Sequence, residues 1–210
     1  MTDLNLSIDG IAAGQRIPEE FAFGIRTDDV PFTFGANISP AVSWSSGPDG
    51  TRSYAVIMHD RSVPTVFDDA NQEGRTIPAD LARMDFMHWV LVDIPAATTS
   101  LPKGAESDAV VPKGKATGPS AHGVRGANNF GMFMASNPDM AGDYGGYDGP
   151  APPWNDEIMH EYVFTVYALD VETLGLTGVF GGTEALAAME GHVLASRQVV
   201  AEYTLNPDLA

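Results

Sequence analysis

The chain has 210 residues, of which 44% are apolar and 19% charged, so it suits one globular domain with a buried core. Its 11 Lys and Arg against 28 Asp and Glu leave a net charge of −17. This charge excludes ordinary binding to nucleic acid, because such binding relies on clustered cations. Cysteine is absent, which excludes disulfides and thiolate catalysis. No apolar run approaches the roughly eighteen residues of a membrane span, and the N-terminus has no signal-like region, so we expect no transmembrane segment and a cytoplasmic location.

Three segments have the composition of β-strands, namely residues 53–59, 88–94 and 162–169. They are rich in β-branched and aromatic residues, and they are apolar on both faces. Such segments are typical of central strands that are covered on both sides. Glycine and proline are spread along the whole chain, which indicates short strands joined by many turns.

The C-terminal part predicts one helix and a last strand. Thr183 is a suitable N-cap for a helix over 184–190, and Gly191 is either a helix break or a glycine tolerated within the helix. Residues 198–205 alternate weakly and predict a strand. Two long irregular regions remain, 65–86 and 112–153, and loops of that length are often functional.

Polar residues at strand ends are the candidate functional residues. Asp60 ends the first apolar strand, His88 begins the second and His160 begins the third. Period-two alternation places His88 on one face with Val90 and Val92. Polar groups gathered at one sheet edge commonly line a shallow pocket, although each histidine could also simply bond a nearby carbonyl.

By the same alternation, His160 shares a face with Tyr162, Phe164 and Val166. The other histidines have no partner motif. His59 faces away from Asp60 and is interpreted as structural, His192 falls in the C-terminal helix region, and His122 has no assigned role.

Several blocks, in the same order along the chain, resemble the signatures of the phosphatidylethanolamine-binding protein family, in its bacterial Raf-kinase-inhibitor-like branch. The blocks are 37–44 (NISPAVSW), 50–56 (GTRSYAV), 60–64 (DRSVP), 88–96 (HWVLVDIPA), 129–131 (NFG), 146–153 (GYDGPAPP) and 160–170 (HEYVFTVYALD). The resemblance implies a mainly β fold of two packed antiparallel sheets with Greek-key connections and a few peripheral helices, in a single domain over 1–210.

The resemblance also implies a surface pocket for phosphate, phosphoryl head groups and small anions such as acetate, without a cofactor, a metal or catalytic residues. Carried over by position, the ligand-binding residues are Asp60, Pro64, His88, Gly149, Ala151, Pro152, His160 and Tyr162.

The chain departs from the family pattern in three places. The segment from Asp60 to Pro64 lacks the family's middle proline and second aspartate, and Glu161 replaces an arginine, which we expect to put an anion beside the site. Insertions at about 65–87 and 112–146 are candidates for a lid or a homodimer contact.

These residues favour a small-anion or head-group binding protein, and regulation of a protein partner is the further role that we consider. No Lys or Arg occupies a carried-over position, so His88, His160 and backbone N–H groups would bind the anion. We expect Asp60 to charge a histidine and to direct its second N–H outward, and we expect anions to bind more tightly as the pH falls through the histidine range. The alternatives are a hydrolase that uses an Asp–His pair, a facial-triad metal site, and an interaction protein with a vestigial pocket.

Overall fold

The computed structural model describes residues 4–209, and four long antiparallel strands form its frame. These are β5 (Ser53–Pro64), β6 (Arg83–Pro95), β10 (His160–Leu169) and β11 (Val193–Tyr203). The three predicted central strands are confirmed, but β5 continues past Asp60 and β6 begins before His88. Those two residues therefore lie within strands and not at their ends.

The remaining elements are short. They are β1 (Leu6–Ile8), β2 (Gly24–Ile25), β3 (Thr33–Phe34), β4 (Val42–Trp44), β7 (Ser100–Leu101), β8 (Gly118–Pro119), β9 (Val124–Arg125), a 3-10 turn (Glu19–Phe21), α1 (Phe130–Phe133) and α2 (Gly182–Met189). Within residues 4–209, no helix is long and apolar enough to cross a membrane.

The large sheet has six strands in the order β11-β10-β5-β6-β9-β8, and all of its pairs are antiparallel. The chain runs through the neighbours β5, β6 and β9 and then returns along β10 beside β5, which is the strand order of a Greek key. A second sheet has the order β1-β4-β7, and β2 pairs with β3. The predicted fold class, mainly β with packed antiparallel sheets and few helices, is confirmed.

The large sheet is buried on both faces. One face packs on the three-stranded sheet, where Trp44 and Val42 meet Tyr54, Trp89 and Phe164. The opposite face packs on α2, and its core members are Ala55, Ile57, Val90, Val92, Leu169, Phe180, Ala185 and Met189. Burial on both faces explains why these strands lack a polar side in the sequence.

The C-terminal helix begins two residues earlier than the sequence predicts. Gly181 is the N-cap, and its N–H donates to Glu184 Oε2 at 3.0 Å. The prediction of Thr183 as the cap is wrong, because a glycine backbone with a downstream carboxylate replaces the usual side-chain cap. Gly191 follows the helix end with φ +80°, which confirms it as a break.

The segment between β5 and β6, residues 65–82, is tied down by one buried asparagine. Asn155 Nδ2 donates to the carbonyls of Asp69 at 2.8 Å and Arg75 at 3.1 Å, while its Oδ1 accepts the N–H of Asn71 at 2.9 Å. This segment, which we call the strap, is therefore held against the turn that precedes β10.

Candidate functional site

A β-bulge in β6 decides which way His88 points. Met58 lies opposite Trp89 and His59 lies opposite Met87, so His88 has no partner on β5. The extra residue places His88 and Trp89 on the same face, since a bulge interrupts the alternation. The prediction that His88 shares a face with Val90 and Val92 is therefore wrong, because those two valines pack on the α2 side. The bulge turns the imidazole toward Asp60 and Tyr162.

These side chains form the polar floor of a small cavity. Asp60, His88, His160 and Tyr162 all line it, and each is at most 3% exposed. The cavity measures about 40 Å³, which is room for a few water-sized groups. A cavity of this size suits a small polar group and is too small for a whole lipid.

The cavity walls are apolar and come from separate parts of the chain. The main wall residues are Val63, Phe67, Phe86, Phe130 and Phe133. The Phe67 and Phe133 rings, 6.1 Å apart, are partly exposed and stand at the mouth. The strap contributes Phe67, and α1 contributes Phe130 and Phe133.

His160 is clamped between two carboxylates. Its Nδ1 lies 2.6 Å from Asp60 Oδ2, and its Nε2 lies 3.1 Å from Asp156 Oδ2. Burial alone would lower the pKa of His160, but Asp60 and Asp156 outweigh it and raise that pKa to about 9. The imidazolium therefore donates both of its hydrogens to carboxylates, and the expectation of a second N–H directed outward is wrong.

Arg83 completes this buried chain of charges. Its Nη1 lies 2.5 Å from Asp156 Oδ2 and its Nη2 lies 3.1 Å from Asp156 Oδ1, a bidentate pair. Although burial opposes ionisation, His160 and Arg83 hold the pKa of Asp156 below its usual value. Sequence reasoning missed both residues, and the position of Asp156 four residues before His160 was the one available signal.

His88 has the opposite electrostatics. Its Nδ1 donates to the Asp148 carbonyl at 2.8 Å, which fixes the neutral tautomer with a lone pair on Nε2. Burial lowers the pKa of His88 to about 4, although Asp60 acts in the other direction. His88 is neutral around neutral pH and so supplies no positive charge.

Tyr162 carries the unsatisfied polar group of the site. Its side chain is fully buried, and its hydroxyl makes no hydrogen bond of good geometry within residues 4–209. Burial, with a further contribution from Asp60, raises the pKa of Tyr162 well above its usual value, so the phenol keeps its hydrogen. The Asp60 oxygens already accept from Ser62 N and His160 Nδ1. A carboxylate can accept further hydrogen bonds, and Asp60 acts on the pKa of Tyr162 partly through one, so an acceptor inside the cavity would compete with Asp60 for the phenol hydrogen.

A buried network holds the turn that precedes β10. The Asp148 carboxylate lies 2.6 Å from Lys115 Nζ and accepts from the Nδ2 atoms of Asn37 and Asn128, each at 2.8 Å. Asn37 Oδ1 accepts the Gly149 N–H at 2.8 Å. A Cβ on Gly149 would lie 1.8 Å from the Phe21 carbonyl oxygen, so only glycine fits there. The network fixes the Asp148 carbonyl that orients His88.

The other sequence-predicted site residues divide into two groups. Ala151 and Pro152 line the cavity, whereas Pro64 and Gly149 do not. Glu161 pairs with Arg61 at 2.8 Å on the exposed side of the strands, so the expected anion beside the site lies outside it.

The remaining histidines make no contact with the cavity. His122 lies 3.2 Å from Glu106, His192 lies 2.8 Å from Asp170, and His59 is 3.9 Å from Asp85. Among residues 4–209, no group of three or more His, Cys, Asp or Glu side chains is arranged so that it could hold a metal ion.

Comparison with known proteins agrees with this architecture. The family model described as phosphatidylethanolamine-binding protein matches residues 7–204. The chain belongs to the phosphatidylethanolamine-binding protein family. Membership supports a ligand-binding function in general terms.

Relatives are similar over nearly their full length. YbhB of Escherichia coli is 28% identical, across 96% of this chain and 100% of YbhB. A UPF0098 protein of Methanothermobacter thermautotrophicus is 30% identical, across 80% of this chain and 84% of that protein. The crystal structure of E. coli YbcL, described as a new member of the mammalian PEBP family, superposes with a TM-score of 0.68 at 24% identity, covering 97% of this chain and 99% of YbcL. The last comparison shows a shared fold.

Proposed function

We propose that the protein binds a small anion or a phosphoryl head group in the cavity floored by Asp60, His88, His160 and Tyr162. The observation that carries the proposal is the buried Tyr162 hydroxyl, which has no partner and lines this cavity. A buried hydroxyl without a partner costs about 1–3 kcal/mol, and an anion oxygen would satisfy it.

The site attracts an anion by hydrogen bonds more than by charge. No Lys or Arg lines the cavity within the described part of the chain. The imidazolium of His160 and the guanidinium of Arg83 are balanced by Asp60 and Asp156. A site that is neutral overall favours weak, exchangeable binding. His160 is therefore not the direct anion donor that the sequence suggested.

The same geometry removes His160 as the base of a hydrolase. A general base needs a free lone pair within reach of a substrate proton. Both ring nitrogens of His160 are bonded to carboxylates, so His160 has no lone pair for this role, and His88 is the remaining histidine of the cavity that could accept a proton. A facial-triad metal site would lose His160 as one of its three ligands, since a ligating imidazole must offer a nitrogen lone pair. Regulation of a protein partner, homodimer formation and a cytoplasmic location stay predictions.

Calorimetric titration with inorganic phosphate and with phosphorylethanolamine tests this proposal. Tyr162→Phe should weaken binding about tenfold or more, because a hydrogen bond to a charged acceptor is worth about 1.5–3 kcal/mol. Tyr167→Phe is the matched control, since Tyr167 lies on the same strand but does not line the cavity. Absence of binding to the wild-type protein, or equal affinities in both variants, would contradict the proposal.

A further inference from the structure

We propose that the surface around the cavity mouth is a docking site for a basic amphipathic helix of a partner protein. The inference goes beyond the proposed function, because it concerns the outer surface and does not depend on which ligand the cavity holds. Four exposed aromatic side chains carry this surface, and we call them the aromatic patch: Phe32, Phe34, Phe67 and Phe133.

The aromatic patch is continuous across three segments of the chain. The Phe32 and Phe34 rings lie 5.8 Å apart, and the Phe67 and Phe133 rings lie 6.1 Å apart. A groove of about 270 Å³ joins the two pairs, because Phe32, Phe34 and Phe133 all line it. The four rings therefore form one surface and are not scattered singly over the protein.

Two further apolar side chains extend the patch. Met132 precedes Phe133 and is 66% exposed, and Val66 precedes Phe67 and is 49% exposed. All four residues come from the two long irregular regions, one after β5 and one before β10. Large apolar side chains that stand together in solvent mark an interaction site, whereas single ones need no explanation.

The groove is already ordered in the free protein. Its buried lining residues Phe23 and Phe130 stack with their ring centres 4.3 Å apart, and the Phe34 ring packs edge-on against Phe23 at 5.5 Å. An ordered surface loses less conformational entropy when a partner binds. The groove lies between β3, which carries Phe34, and α1, which carries Phe133, and such apolar grooves take the apolar face of an amphipathic helix.

The charges beside the patch determine the sign of the partner. The three segments that carry it, 26–34, 65–77 and 130–143, contain seven Asp and Glu, which we call the acidic rim, against two Arg. Asp28 and Asp68 of this rim are exposed, and neither pairs with a cation within residues 4–209. A partner with Lys and Arg around bulky apolar side chains therefore complements both the groove and the rim.

The acidic rim disfavours the other occupants of an apolar surface. A second copy that docks here by two-fold symmetry would bring two acidic rims together, each on a chain of net charge −17. Anionic lipid surfaces attract basic segments, so this surface repels them. A basic amphipathic helix gains from the apolar groove and from the rim at once.

The experiment is a fluorescence anisotropy titration of the full chain with two synthetic helical peptides, each of about 18 residues. Both peptides place leucines along one helical face, and the polar face is Lys in one peptide and Glu in the other. We expect the Leu–Lys peptide to bind at least about tenfold more tightly than the Leu–Glu peptide at about 0.1 M salt.

Phe32→Ser tests the groove, and Val179→Ser is its matched control. Val179 is another exposed apolar residue, and it lines neither the groove nor the cavity. Loss of an aromatic anchor should weaken Leu–Lys binding about five- to tenfold, whereas Val179→Ser should bind like the wild type. Urea denaturation of both variants checks that they are folded.

A second pair of variants tests the rim and leaves the rings in place. Asp28→Asn with Asp68→Asn should weaken Leu–Lys binding and reduce its dependence on salt, because both carboxylates lie beside the patch. Asp49→Asn with Glu190→Gln removes the same charge from exposed positions outside the three segments, and it should change the affinity less. This comparison separates the rim from the general attraction of a cationic peptide to an acidic protein.

Several outcomes would overturn the proposal. They are no binding of the Leu–Lys peptide, equal binding of both peptides, and Leu–Lys binding that a folded Phe32→Ser variant or the rim variants leave unchanged. A dimer in sedimentation that Phe32→Ser dissociates would assign the patch to a second copy, and phosphatidylcholine vesicle binding that this variant loses would assign it to a lipid surface. All of these outcomes leave anion binding untouched, since Phe32, Asp28 and Asp68 do not line the cavity.

Discussion

At the scale of single residues, the site contains two histidines with opposite properties. His160 keeps its proton because two carboxylates accept hydrogen bonds from it, whereas burial keeps His88 neutral. The predicted strand ends and the order of the family motifs indicate that both histidines lie near Asp60. It could not assign their charges, because those depend on Asp156 and on the Asp148 carbonyl, which reach the histidines only after the chain has folded. Arg83 lies more than seventy residues from its partner Asp156 and carries no local signal.

Tyr162→Phe should change stability and binding in opposite directions. The unliganded protein buries a hydroxyl with no partner, so its removal should raise the free energy of unfolding by about 1 kcal/mol or leave it unchanged. Affinity for phosphate should fall in the same variant. Urea denaturation without ligand measures the first effect, and a loss of 2 kcal/mol or more would mean that the hydroxyl has a structural partner.

At the scale of elements, the long central strands are predictable, but the irregularities that make the site are not. Period-two alternation assumes an unbroken ladder, and the bulge at His88 breaks it. The family motif identifies His88 as a site residue. Only the register of β5 against β6 shows on which face of the sheet its side chain lies. Likewise, the sequence indicates a long irregular region after β5. The hydrogen bonds that hold this region come from Asn155, which lies about eighty residues later in the chain.

Asn155→Ala should loosen the strap without unfolding the sheet. The substitution removes the side-chain hydrogen bonds that hold the backbone of Asp69, Asn71 and Arg75, and it should cost about 2–3 kcal/mol. Hydrogen exchange should speed up in residues 65–82, while β5 and β10 stay protected. Phosphate should also dissociate faster, because Phe67 closes one side of the cavity.

Asn137→Ala is the control for this experiment. Asn137 is exposed and its side chain accepts only the N–H of Asp139, so neither the strap nor the affinity should change. Unaltered exchange of residues 65–82 in Asn155→Ala would show that the apolar wall holds the strap by itself.

At the scale of the whole molecule, the two histidines should give the stability curve a maximum near pH 6.5. His160 has a raised pKa, so its contribution is complete below its unfolded value of 6.5 and is lost as the pH rises through about 9. His88 has a lowered pKa, so its contribution is complete above 6.5 and is lost as the pH falls through about 4. Each difference between the folded and unfolded pKa corresponds to a change on the order of 3 kcal/mol in the free energy of unfolding.

Urea denaturation across this pH range checks the prediction. His160→Gln should lower stability overall and flatten the alkaline limb, while His192→Gln should keep the wild-type shape. High salt screens the repulsion expected from the net charge of −17 but leaves the buried His160 pairs in place. If the loss of stability at alkaline pH disappears in high salt, it arises from surface charge and not from His160.

The most direct test of the central claim is a crystal structure of the protein saturated with methyl phosphate at about pH 6. The account predicts a phosphoryl group in the cavity, with one oxygen within hydrogen-bond distance of Tyr162 Oη and another within hydrogen-bond distance of His88 Nε2. His160 should remain bonded to Asp60 and Asp156 and should not touch the ligand. A cavity that stays empty at saturation, or an anion bound elsewhere on the protein, would contradict the account.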